Sequence, residues 1–130
     1  VRSSAASDVY KRQVGHDSHN LIVAGDNDPD MLAAIDALEE CGGGYVAVSG
    51  GKVLARLALP VAGLMSDAPL AAIIARQQEL LSAAAQLGVS GASDPFITLS
   101  FLALPVIPDV RLTDLGVFDV NRMQFIHRPA

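Results

Sequence analysis

The run Asp94-Pro-Phe-Ile-Thr-Leu-Ser-Phe-Leu-Ala-Leu-Pro-Val-Ile-Pro-Asp109 constrains this chain more than any other feature. It is almost wholly apolar, yet Pro95, Pro105 and Pro108 bracket it. Proline fixes φ and removes a backbone donor, so no long helix passes through both ends. The stretch is also too short for a membrane span, which needs about 18 or more apolar residues. Residues 97–104 therefore form either a buried strand or a short helix ended by proline, and periodicity fits both. In either form the segment has to be covered by other elements.

What covers it must be aliphatic. Hydrophobic residues make up 51% of the chain, but aromatics only 5%, and Trp is absent. With 18% charged residues the chain falls in the globular range rather than the disordered one. Its 130 residues suffice for one domain with a real core. A net charge of −5 argues against a general nucleic-acid binder, which needs a basic face. A single cysteine, Cys41, rules out an internal disulfide and a zinc site of several cysteines, and it suits a reducing cytoplasm. No apolar stretch is long enough to cross a bilayer, so no membrane partner is expected, and no charged-then-apolar signal sequence opens the chain.

The first residues read differently from the rest. Residues 1–13 are polar and begin without Met, and Asp8-Val-Tyr-Lys-Arg-Gln13 resembles a translated sequencing adapter. They are expected to be an adapter-derived or disordered leader and are set aside from the fold. Residues 14–130 are expected to form the domain.

Leu21-Ile-Val-Ala-Gly25 reads as a buried strand ended by glycine. Asp26-Asn-Asp-Pro29 is a helix-start signal, since a side-chain oxygen caps free amides and proline fits the first turn. Met31, Ile35 and Leu38 then recur at helical spacing, with Asp30, Asp36, Glu39 and Glu40 on the opposite face. Gly42-Gly-Gly44 stops that helix. It is not a phosphate loop, because no Lys-Ser or Lys-Thr follows. Strands are expected at Tyr45-Val-Ala-Val48 and over 53–59, joined by the hairpin signal Ser49-Gly-Gly-Lys52. Residues 60–69 form a loop, in which Ser66 and Asp67 are expected to cap the helix that follows. That helix covers 70–87, with Ile73, Ile74, Leu80, Leu81 and Leu87 on one side, and Gly88 ends it. Residues 89–93 are a linker. Short strands are expected at 110–112, 117–120 and 123–126, with a turn at 114–116. The order predicts a small α/β sandwich: a mixed sheet with helices packed on it.

Few residues carry chemistry. His16-Asp-Ser-His19 is the densest cluster. The two histidines lie three apart and lead into a strand, where such positions point to opposite faces, which disfavours a shared metal. The plainer reading is a polar cluster that satisfies backbone groups where the strand begins. Cys41 reads as a small core residue, and His127 as part of a frayed terminus. Asp26, Asp28 and Asp30 lack the glycine and distal Glu of a calcium loop, so capping is preferred.

Three stretches together carry a family likeness. They are Gly15-His-Asp-Ser-His-Asn-Leu-Ile-Val-Ala-Gly25, then Leu57-Ala-Leu-Pro-Val-Ala-Gly-Leu-Met-Ser-Asp67, then the proline-bracketed run from Asp94 with Leu112-Thr-Asp-Leu-Gly-Val-Phe-Asp-Val120 behind it. In this order and spacing they resemble the C-terminal domain of adenine deaminases. The resemblance covers about residues 14–126. It implies membership of the metal-dependent amidohydrolases, which convert adenine to hypoxanthine and ammonia in purine salvage. It also implies a (β/α)₈ barrel upstream of this domain, binding a divalent metal, manganese or iron. No His-x-His pair is present here, so no metal ligand is assigned to this chain, and the fragment alone is expected to be inactive. The implied partners are the barrel of the same parent chain, adenine, and further copies in a homo-oligomer.

On that resemblance His16 or His19 reaches the mouth of the active site, contacting the purine or supporting a metal ligand. Asp17 and Phe96 are candidate substrate contacts, Phe96 by stacking on the purine, although a lone Phe beside such an element is more often core. Thr98 and Ser100 are expected to present a polar face to the barrel. The alternative is a stand-alone, non-catalytic purine-binding or oligomerisation module. A start codon just upstream of Val14 would favour that alternative, and an open frame encoding a barrel would favour the enzyme fragment.

Overall fold

The computed structural model describes residues 10–14, 21–89 and 94–127 of the chain. Four strands form the main sheet: β1 (Tyr10–Val14), β2 (Leu21–Ala24), β3 (Gly44–Ser49) and β4 (Lys52–Ala58), in the order β2-β1-β3-β4. Helix α1 (Asp28–Glu40) links β2 to β3, and helix α2 (Leu70–Gln86) follows β4. A short helix, α3 (Pro95–Ser100), runs into a 3-10 turn (Phe101–Ala103). The chain then makes a small meander of β5 (Val110–Thr113), β6 (Gly116–Asp119) and β7 (Gln124–His127), in the order β5-β6-β7.

The α/β sandwich is as expected, but the sheet is not mixed: every described pairing is antiparallel. The reason is β1. It lies between β2 and β3 and pairs antiparallel with both, Val14 opposite Leu21 and Lys11 opposite Ala47. β2 and β3 therefore run parallel to each other without touching, and α1 is the crossover between them. Residues 10–13, set aside on their sequence, supply most of this inner strand. Strand pairing is made by backbone groups, so a segment with no apolar pattern still completes a ladder.

The alternation of β3 divides the core in two. Val46 and Val48 face α1 and pack with Ala34, Ala37 and Leu38. Ala47 points the other way and packs with Ala55, Leu57 and Leu59 of the β4 region, Leu80, Ala83, Ala84 and Leu87 of the α2 region, and Phe96. Small residues at 47, 55, 83 and 84 let α2 lie close to the sheet. Each fully buried large side chain here, such as Leu80 or Val46, contributes roughly 1.5–3 kcal/mol.

The start of α1 is built as its sequence predicts. The Asn27 Oδ1 accepts from the Asp30 amide at 3.0 Å, and proline sits in the first turn. Asp30 does not share the solvent face with Asp36: it is 3% exposed and accepts from the Gly50 amide at 3.0 Å and from the Gly51 amide. Its carboxylate thus ties the first turn of α1 to the β3–β4 hairpin. At the other end of α1, Cys41 is half-buried against the same core, and its thiol donates to the Gly43 carbonyl at 3.4 Å. Arg56 donates to the Ala37 carbonyl at 3.1 Å and pairs with Glu40, placing a cation where the helix dipole is negative.

Helix α2 departs from expectation at its start. Pro69 occupies the cap position without a side-chain bond, and Ser66 closes a turn by accepting from the Ala68 amide at 3.2 Å. A residue before proline avoids the α region, so Ala68 separates Ser66 and Asp67 from the helix. The apolar face is also narrower than predicted: Ile74 and Leu81 are exposed, while Ala83 and Ala84 are buried.

Candidate functional site

The run at 95–104 is helical, and the local chemistry shows why. Asp94 is the cap of α3, its Oδ1 accepting from the Phe96 amide at 2.8 Å and the Ile97 amide at 3.3 Å, with Pro95 next to it in the first turn. Because the element is a helix, Thr98 and Ser100 do not share a face. Thr98 is exposed, whereas Ser100 is fully buried and donates to the Ile97 carbonyl at 2.6 Å. The polar face expected from alternation at 98 and 100 is absent from this element, since alternation holds only for strands.

Phe96 is 3% exposed, packed in the core below α2 with its ring centroid 5.6 Å from that of Tyr45. Its expected role as a purine-stacking residue gives way to a core role, because the capped turn of α3 points the ring inward. His16, Asp17 and His19 lie outside the described residues. Of the sequence-derived site residues, the structure therefore places only Phe96.

A different feature stands out. An open cleft of about 730 Å³ lies between β2, the first turn of α1, the α3 region and the start of the meander. Leu21, Val23, Met31, Leu102 and Leu112 line it, with Thr113 and Asp114 at one end. The Thr113 hydroxyl is committed locally, donating to the Gly116 carbonyl at 2.9 Å and accepting from the Leu115 amide at 3.2 Å. Among the described residues this cleft has no facing acid and base, and the chemistry they offer is that of apolar packing. Leu102 and Leu112 were visible in the sequence as apolar positions, but nothing local showed that they face the same space.

A second hollow, of about 670 Å³, lies between β4 and α2. It carries five charged residues, four of them paired: Arg56 with Glu40 at 3.3 Å and Arg76 with Glu79 at 2.7 Å, with Asp67 lining it as well. Among the described residues no three His, Cys, Asp or Glu side chains converge as a metal site would require. No helix among them is long and apolar enough to cross a membrane.

Comparison with known proteins adds what the geometry alone does not contain. The family described as adenine deaminase C-terminal domain matches residues 12–124. The chain is 56% identical over 113 residues to an adenine deaminase of Nitratidesulfovibrio vulgaris strain Hildenborough, covering 86% of this chain and 20% of that protein. It is 52% identical over 113 residues to the adenine deaminases of Bacillus licheniformis and Gluconobacter oxydans, covering 87% of this chain and 20% of each of those proteins. The chain thus spans about a fifth of the length of the curated relatives it matches. Matched across nearly all of its described elements, the chain belongs to the adenine deaminase C-terminal domain family.

Proposed function

We propose that this chain is the C-terminal part of an adenine deaminase, and that it completes by packing an enzyme whose catalytic barrel precedes it. The observation that carries this reading is the extent of the match: 113 residues at 56% identity that amount to only 20% of the relative. The parent reaction is hydrolytic: water adds at C6 of adenine, ammonia leaves, and hypoxanthine remains, a step in purine salvage. The described residues do not fit a metal centre. A divalent ion, manganese or iron, with its His and carboxylate ligands, belongs on this reading to the upstream barrel. The parent is proposed to be a cytoplasmic homo-oligomer, and the present chain to be inactive alone.

Within that reading His16, His19 and Asp17 are proposed to reach the mouth of the active site. Supporting residues around a metal centre typically matter by about 10–100-fold. The test fuses the first four-fifths, roughly, of the Nitratidesulfovibrio vulgaris enzyme to residues 10–130 of this chain, so that β1 is kept. Adenine deamination is then measured for the 130-residue chain alone and for the fusion. Activity only in the fusion is expected, and activity in the chain alone overturns the division of labour. His16→Ala and His19→Ala in the fusion are expected to lower kcat/KM by at least about tenfold. Unchanged kcat/KM in both would leave these residues a structural role only.

A further inference from the structure

The meander has no core of its own. From residue 105 to residue 126 not one residue is buried. Its apolar side chains are nevertheless many and outward: Val106 is 77% exposed, Met123 72%, Leu115 60% and Ile126 59%. Within it, Phe118 packs edge-on against Phe125 across β6 and β7, with ring centroids 5.1 Å apart. Three strands of four residues need an apolar partner to be stable in water. The contact of β5 with the 3-10 turn leaves most of this surface open. Across the cleft the apolar surface continues through Leu102 and Leu21, which are both exposed.

Most of the described polar groups here are used locally, although the Arg111 Nε is buried without a hydrogen-bond partner. Asn121 donates to Asp109 at 2.7 Å, Arg122 pairs with Asp119, and Arg111 donates to the Val110 and Pro108 carbonyls. Among its described residues the face offers charges of both signs, Asp109 and Asp119 with Arg111 and Arg122, and no single-sign pattern for a nucleic acid or a highly charged peptide to read, so the occupant it fits is an apolar protein surface.

We infer that the face formed by β5, β6, β7 and the adjoining cleft is the seat of the upstream part of the same polypeptide; this rests on the reading of the chain as the C-terminal part of a longer enzyme. The matched family is a C-terminal domain, and the match is a fifth of the relatives' length, so roughly four-fifths of such a polypeptide is tethered ahead of it. A tether raises the effective concentration of its own partner to about the millimolar range, well above that of a free second copy. An exposed apolar face on such a chain is thus covered first from within.

The test compares amide hydrogen exchange in the 130-residue chain with exchange in the fusion described above. Amides of β5, β6 and β7 are expected to exchange at least about tenfold more slowly in the fusion. Slowing confined to α2 and β4 would overturn the inference while leaving the fragment reading intact. No slowing anywhere would overturn both. Slowing on the meander in the free chain that grows with its concentration would make a second copy the occupant, and would also overturn the inference. As a second measurement, Leu112→Asp in the fusion is expected to abolish the added protection, while Ile74→Asp on the exposed side of α2 leaves it unchanged. Equal effects of the two substitutions would count against this face.

Discussion

At the scale of single residues, two positions hold the sandwich in register. Asp30 ties α1 to the glycine hairpin through two backbone amides. Hydrogen bonds to a charged acceptor contribute about 1.5–3 kcal/mol, so Asp30→Ala is expected to lower unfolding stability by about that much. Urea denaturation followed by far-UV circular dichroism measures it, and a neutral result would mean the hairpin holds itself. Gly44 is the second position. Its φ is +135°, and a Cβ there would lie 2.0 Å from the Leu57 carbonyl oxygen. Gly44→Ala therefore forces β3 and β4 apart, at a cost of about 3 kcal/mol or more. Gly50 provides the contrast: its φ is +58°, but no atom lies within 4 Å of an added Cβ. Gly50→Ala is expected to cost only about 1–2 kcal/mol, the left-handed penalty alone. The reverse order of these two costs would show that crowding at Gly44 is not what demands glycine. Both glycines were legible as breakers in the sequence; which of them meets a wall was not, because the wall is on β4.

At the scale of elements, α2 and α3 show where local signals suffice. Asp94-Pro95 is a helix start, and the capping oxygen settles the ambiguity of the segment behind it. Removing the cap with Asp94→Ala is expected to cost about 1 kcal/mol. For α2, spacing alone put Ile74 and Leu80 on one face, but they lie on different surfaces in the fold. Leu80→Ala opens a cavity against β3 and β4 and is expected to destabilise by about 2–5 kcal/mol. Ile74→Ala, at a position 47% exposed, is expected to stay within about 0.5 kcal/mol. Similar values for the two would mean that α2 is rotated in solution. Ala83 and Ala84 were invisible as core positions, since alanine carries little hydrophobic signal, yet their small size is what admits the helix.

At the scale of the whole molecule, the exposed apolar residues have a direct consequence. Large apolar surfaces left in water favour association. The 130-residue chain alone is expected to bind a hydrophobic dye, and the fusion to bind less of it. Equal dye binding by the two would mean that the upstream part leaves this apolar surface open.

The placement of β2, β3, β4, α1 and α2, the two glycine stops and the cap at Asn27 follow from local steric and hydrogen-bonding rules, and the sequence by itself determined them. So did the family likeness, because it rests on the order and spacing of three segments. Tertiary structure alone decided the rest. It put an unpatterned strand at the centre of the sheet, because ladder bonds come from the backbone. It turned Asp30 and Phe96 inward, because burial depends on what packs above a residue. It also left the β5–β7 meander open, because the partner that covers an apolar face is chosen by long-range contacts that no local pattern contains.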